Sequence, residues 1–281
     1  MGSFGDLSRI GGNIQALQAL NSLYKINGQL GNHQLRLATG KRINSAEDDA
    51  AGFVIGRTLQ GRAKGLAVAL SNVGDAKSML SVAEGGLENI LDILERMKEK
   101  VIQAASDTLG ENERNAIEDE LDSLTLEIDA IVDETTFNGI SLLTSVAKTI
   151  QTGEATTDTL YMTITSGGHT AGSLGISDTS INVTSSANAS TALSRINSAI
   201  TSVKNSISSL GGYQSRLSTK EATLSTAITN TEASRSRIMD ADFAKEQLRA
   251  LQLQIMQQTA TSSLAQANAA PQIVLSLFGG G

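Results

Sequence analysis

From Leu66 onward, apolar residues recur as Leu66, Ala69, Val73, Ala76, Leu80, Ala83, Leu87, Ile90, Leu94, Met97, Val101 and Ala104, with steps of three and four alternating unbroken. A strict 3.5-residue repeat marks a left-handed helical seam, whereas an isolated globular helix shows a 3.6-residue stripe. As one helix these positions reach roughly 58 Å at 1.5 Å per residue, so the sequence predicts a rod. The flanking charges, from Glu88 and Asp92 through Glu95, Arg96, Lys98, Glu99 and Lys100, mix both signs, as a solvated outer face does. Beyond Gly110 a second seam runs Ile117, Leu121, Leu124, Ile128, Ile131. A third runs Leu193, Ile196, Ile200, Val203, Ile207, Leu210, then more weakly Leu217, Leu224, Ile228. Three such stripes satisfy one another most simply in an antiparallel bundle. Helices are expected over residues 45–105, 111–133 and 190–236, with Gly211-Gly212 read as a bend or a close helix packing.

Residues 142–188 lose the heptads and turn rich in Ser, Thr and Gly, which predicts a small β region. Thr159–Thr165 alternates apolar and polar like a half-buried strand, Ser166-Gly167-Gly168 supplies turn residues, and Ile181–Thr184 reads as its partner strand. The fold class expected is mainly α: a long antiparallel coiled-coil or helical-bundle rod with a small β-hairpin region.

Aromatic residues make up only 3% of the 281-residue chain, so Leu, Ile, Val and Ala must build the core, which suits thin helical packing better than a thick globule. There is no cysteine, which removes disulfides, thiolate chemistry and Cys-based metal sites. The two histidines, His33 and His169, stand far apart without a Glu-x-x-His partner and read as solvated or hydrogen-bonded rings. No GxGxxG, GxxxxGK[ST] or GxSxG occurs, and Asp48-Asp49 and Glu118-Asp119-Glu120 read as a solvated helix start and helix face. No enzyme, cofactor or metal is expected. A net charge of −7 without a Lys/Arg block argues against nucleic acid, and no apolar run is long enough to span a membrane. The opening residues show no conventional secretory signal.

The two ends carry apolar ribbons of their own. Leu7, Ile10, Ile14 and Leu17 step 3-4-3, and Leu20, Leu23, Ile26, Leu30 and Leu37 continue less regularly past Gly28 and Gly31, each of which costs ~1 kcal/mol of helix stability. Near the other end Leu248, Leu251, Ile255 and Met256 are followed by Leu264, Ile273, Val274, Leu275, Leu277 and Phe278. The polar side there is mostly uncharged: Gln252, Gln254, Gln257, Gln258, Thr259, Thr261 and Ser262. Charge depletion on every face suggests a helix surrounded by neighbours.

Specific motifs join these features. Residues 37–52 (LATGKRINSAEDDAAG), Ala83-Glu84-Gly85, residues 133–139 (DETTFNG), 210–217 (LGGYQSRL), 234–244 (SRSRIMDADFA), 264–268 (LAQAN) and 271–277 (PQIVLSL) occur in this order. Together they resemble bacterial flagellin, over nearly the whole chain apart from about 145–190. The resemblance implies a structural subunit of the flagellar filament, a homopolymer of identical copies acting as a propeller. It implies an inner coiled-coil domain from 1–42 and 239–281, a rod domain over 43–238, and no large outer domains. Partners implied are an export chaperone, the flagellar type III export apparatus, and the filament cap and hook-junction proteins. The alternative of the same design is a hook–filament junction protein. A zinc peptidase insert, known in some members, would need HExxH, and His169 is alone. A further possibility is an adhesin glycosylated on Ser and Thr of 145–190.

Residue by residue, the resemblance assigns subunit assembly to Arg42, Asn44, Asp48, Asp49, Arg235, Arg237, Asp240, Asp242, Leu264, Gln266, Asn268, Leu275 and Leu277. Ser45 is expected to N-cap the helix that follows, with acidic residues in its first turn. Some flagellins also engage a Toll-like receptor of animal hosts, and the matching residues are Arg96, Glu99 and Glu120. Lys100 stands where responsive flagellins commonly place Leu, which implies a weakened response.

Overall fold

The computed structural model describes residues 12–165, 167–177 and 180–278, with side chains at all of these except 146, 165 and 270–278. Leu7 and Ile10 lie outside the described residues. The elements in order are α1 (Ile14–Thr39), α2 (Ala50–Ala104), α3 (Glu111–Glu134), β1 (Thr136–Phe137), β2 (Ile140–Ser141), β3 (Val146–Gln151), β4 (Thr159–Thr165), α4 (Ala171–Leu174), α5 (Ser186–Met239) and α6 (Phe243–Phe278). They form two compact units, one of Met1–Gly61 with Thr231–Gly281 and one of Arg62–Asn230.

In the Arg62–Asn230 unit all twelve residues of the first seam, Leu66 to Ala104, are buried, and from Leu80 to Ala104 none has any exposure. Ile117, Leu121, Leu124 and Ile128 of α3, and Ile196, Ile200, Val203, Leu210, Leu217 and Leu224 of α5, close over them. Polar pairs fix the antiparallel register: Lys77 with Glu221 at 2.7 Å, Gln214 with Glu84 at 2.7 Å and Lys204 with Glu95 at 3.7 Å. Arg114 donates to the Ala104 carbonyl at 3.1 Å and the Ser106 carbonyl at 2.9 Å. These bonds close the α2–α3 corner and satisfy acceptors that a helix end leaves over.

The helix expectations need three adjustments. The first helix begins at Ala50, not at 45, and Ser45 is not its cap: Asp49 Oδ1 accepts the Gly52 amide at 2.9 Å. Gly211-Gly212 neither interrupts α5 nor marks a close approach, since the helix runs through and a Cβ at either position meets nothing within 4 Å. Gly28 and Gly31 likewise leave α1 continuous, with open space beside both.

The β region also differs from expectation. Thr159–Thr165 is a strand, but its antiparallel partner is β3, with Ile150 opposite Leu160 and Lys148 opposite Met162. Ile181–Thr184 is not a strand. Ile181 and Val183 are fully buried, while the Asn182 side chain accepts from the Thr184 amide at 3.1 Å and from Asn188 at 2.9 Å. The apolar–polar alternation there serves a plug and a turn that leads into α5. Asn138 and Gly139, at φ 51° and 76°, make the tight β1–β2 hairpin, whose two positive φ values explain the Asn-Gly pair. His169 is not solvated: it is fully buried, and its backbone amide donates to the Leu143 carbonyl at 2.9 Å. Its burial holds the imidazole below its usual pKa.

Candidate functional site

In the other unit α1 and α6 pack antiparallel. Asn13 Nδ2 donates to the Ala267 carbonyl at 2.6 Å, Gln257 donates to Asn27 at 2.7 Å, and His33 Nδ1 meets Glu246. Along α6, up to residue 269, the least exposed positions are 246, 250, 253, 257, 260, 264 and 267; along α1 they include 16, 19, 23, 26, 30, 33 and 37. Both series step alternately by three and four, so each helix offers one coiled-coil seam to the other. The shared core is thin: Ile26, Leu30, Ala250 and Leu253, backed by Leu37 and Ala260.

A second apolar ribbon lies two positions away on each helix, about 160° around the axis at 100° per residue. On α1 it holds Ile14, Leu17, Tyr24 and Leu35, 40%, 57%, 66% and 49% exposed; on α6 it holds Leu248, Leu251 and Ile255, 68%, 47% and 66% exposed. Gly28 and Gly31 continue the α1 ribbon. The large apolar residues of the terminal stripes thus face solvent, while smaller or polar ones, Ala16, Ala19, His33, Glu246, Ala250 and Gln257, share the packed seam with Leu and Ile.

Most of the charged candidate residues gather where these helices turn. Gly40, at φ 67°, ends α1. Lys41 then pairs with Asp240 as an antiparallel bridge, and the Arg42 amide donates to the Met239 carbonyl at 2.7 Å. Arg42 Nη2 donates to the Ile238 carbonyl at 2.7 Å, and Asn44 Nδ2 to the Lys41 carbonyl at 3.1 Å. Asp48 Oδ2 accepts the amides of Asn44 at 2.9 Å and Ser45 at 3.1 Å, with Arg36 3.6 Å from its other oxygen. Those bonds, the Asn44 amide first, hold the Asp48 carboxyl below its usual pKa. Arg235 pairs with Glu232 at 2.7 Å and Asp240 at 3.5 Å; the Glu232 bond chiefly raises its pKa. Asp242 accepts the Ala244 and Lys245 amides at 3.1 and 3.3 Å and so caps α6. The Lys245 amide first, these contacts lower its pKa.

The rest of the candidate set is not brought to this junction. Arg237 is exposed and donates to Ser234 at 3.4 Å. Leu264 lies on the packed α6 seam, Gln266 and Asn268 face solvent, and Leu275 and Leu277 fall among the residues whose side chains are not described. In the Arg62–Asn230 unit, Glu120 accepts from Arg96 at 3.0 Å and Lys100 at 2.6 Å, which lowers its pKa, Lys100 contributing most; Glu99 is exposed. Sequence reasoning missed Gly52, Gly56, Met239 and the Arg36–Glu246 pair at 3.7 Å.

Among the described residues no group of His, Cys, Asp or Glu is arranged to hold a metal, and no helix is long and apolar enough to cross a membrane. The site is thus a pair of terminal helices that cover one another along a single seam and leave a second apolar ribbon exposed on each. Residues 10–149 match the bacterial flagellin N-terminal helical region and residues 193–278 the bacterial flagellin C-terminal helical region. A flagellin of Halalkalibacterium halodurans is 35% identical, covering 86% of this chain and 89% of its own. A flagellin of Bacillus subtilis is 34% identical, covering 96% and 99%. A solved structure of a putative flagellar hook-associated protein from Vibrio parahaemolyticus, 17% identical, shares the fold at a TM-score of 0.57 over 69% of this chain and 100% of its own. The chain belongs to the bacterial flagellins, the structural subunits of the extracellular flagellar filament.

Proposed function

We propose that this flagellin polymerises by burying the outer ribbons of α1 and α6 against neighbouring copies. The observation that carries the reading is that each terminal helix has two apolar faces and its partner within the chain covers one. Ile14, Leu17 and Tyr24 on α1 and Leu248, Leu251 and Ile255 on α6 are large side chains left 40–68% exposed. Gly28 and Gly31 lower helix propensity without serving any contact inside the chain, as expected where another helix backbone comes close. Leu275 and Leu277 extend the same helix and are assigned to the same contacts.

The junction residues Arg42, Asn44, Asp48, Asp49, Arg235, Asp240 and Asp242 serve assembly in this reading by fixing how the two terminal helices leave their turns. Arg237, Gln266 and Asn268, exposed and without a carboxylate partner among the described residues, are assigned directly to contacts between copies. No catalysis is assigned; support comes from the family, which is structural. Export by the flagellar type III apparatus with a chaperone, and contact with cap and junction proteins, belong to the same proposal. So does weak recognition by a host receptor through Arg96, Glu99 and Glu120, with Lys100 occupying Glu120.

The test is pelleting of purified full-length chain in a precipitant. Leu17→Gln with Leu251→Gln leaves the packed seam untouched and should abolish polymer. Undiminished polymer from that variant would reject the ribbon mechanism.

A further inference from the structure

Helix α3 carries ten acidic residues against one arginine, an excess larger than the whole chain's −7. The rest of the molecule is therefore slightly cationic. At the middle of the outer face of α3 stands Leu126, 71% exposed. Asp119 and Asp133 lie one heptad to either side and Glu127 is adjacent, all three exposed. Among the described residues none of these three carboxylates has a cationic partner, whereas Glu120 meets Arg96 and Lys100. Leu126 is thus a large apolar side chain left exposed on a strongly acidic helix.

A complementary surface exists in the Met1–Gly61/Thr231–Gly281 unit. A cleft of about 200 Å³ opens there, with Ile43, Phe53 and Met239 as its apolar side and Lys41, Arg57 and Arg235 as its cationic side. Arg235 is neutralised by Glu232 and Asp240. Neither Lys41 nor Arg57 has a carboxylate partner among the described residues, and Arg57 lies over the Phe53 ring at 5.9 Å. The cleft has room for one aliphatic side chain and two unpaired cations at its rim.

We propose that Leu126 of one copy seats in this cleft of the next, with Asp119 and Glu127 facing Lys41 and Arg57. The inference rests on the filament reading and adds which faces meet. The two faces are different surfaces of the chain, so the contact is heterologous, and a heterologous contact that does not close into a ring propagates as an open polymer. Opposite charges at the rim supply orientation and discourage the reversed docking.

The experiment measures the concentration of full-length chain above which polymer forms. The variants are Asp119→Lys with Glu127→Lys, Lys41→Glu with Arg57→Glu, all four together, and the charge-neutral Leu126→Ser. Thermal melts check that each remains folded, Arg57, Asp119, Leu126 and Glu127 being exposed and Lys41 half-buried. Either paired reversal and Leu126→Ser should raise that concentration about tenfold or more, the scale of a mispaired charged contact. The fourfold reversal restores opposite signs and should return it to within about threefold of the unmodified chain. Unchanged polymerisation in the single-face reversals overturns the docking while leaving the filament reading intact. Failure of the fourfold variant to recover overturns it too, because each face would then be meeting something else. An unmodified chain that forms no polymer overturns the filament reading itself.

Discussion

The side chain of Met239 fills the space in which a Cβ on Gly56 would lie, so the end of α5 and the second turn of α2 meet without room for one methyl group. Gly56→Ala should destabilise the Met1–Gly61/Thr231–Gly281 unit by about 1–3 kcal/mol, the usual scale of overpacking. Adding Met239→Ala should recover part of the loss, a coupling that a double-mutant cycle on thermal melts reads directly.

Asp48 ties the turn between α1 and α2 through two amides, and Asp48→Ala should cost about 1 kcal/mol, as loss of a capping carboxylate does. The pH dependence has a definite sign. Its pKa is lowered in the fold, so its contribution is complete above the ordinary aspartate value of 3.8 and is lost as pH falls through the lowered value. Acid melts of the unmodified chain and Asp48→Asn should begin to approach one another only below pH 3.8 and meet below the lowered value.

His169 works in the opposite chemical sense with the same sign. Burial lowers the pKa of this imidazole, so the unfolded chain binds a proton more readily than the folded one. Stability of the Arg62–Asn230 unit is complete above about pH 6.5, the ordinary histidine value, and declines as pH falls below it toward the lowered folded value. His169→Phe should flatten that slope, measured as the difference in melting temperature between pH 7.5 and 5.5 for the two chains. An unchanged slope contradicts the assignment.

The bundle was legible because its seam obeys one rule throughout: every position from Leu66 to Ala104 in the 3.5-residue series is buried. The ends were half legible. Their period is heptad-like, yet a second apolar stripe on each helix is left exposed, while the seam between α1 and α6 admits Ala, Gln and a His33–Glu246 contact. Ser45 was outcompeted as a cap because carboxylates at 48 and 49 accept the Asn44, Ser45 and Gly52 amides instead. The partner of β4 was misplaced because Ile181 and Val183 alternate like a strand while filling the core from a coil, and β3 begins with too few large apolar residues to stand out. The junction contacts join residues about 200 apart in sequence, such as Arg42 with Ile238, and no local pattern announces them.

Lys100 sits 2.6 Å from Glu120, so the carboxylate proposed to meet a host receptor is already engaged within the chain. Reporter cells expressing the Toll-like receptor should respond weakly to the purified monomer, and Lys100→Leu should lower the concentration needed several-fold. Equal responses from both chains contradict this role for Lys100.

Hydrogen exchange on the full-length chain, before and after polymerisation, tests the central claim most directly. Amides of α1 and α6 should exchange much faster than those of the α2 seam in the monomer, because four buried apolar side chains hold the pair together, and should become strongly protected once polymer forms. Terminal helices that are equally protected in both states, or a protected monomer that never lengthens, would contradict it.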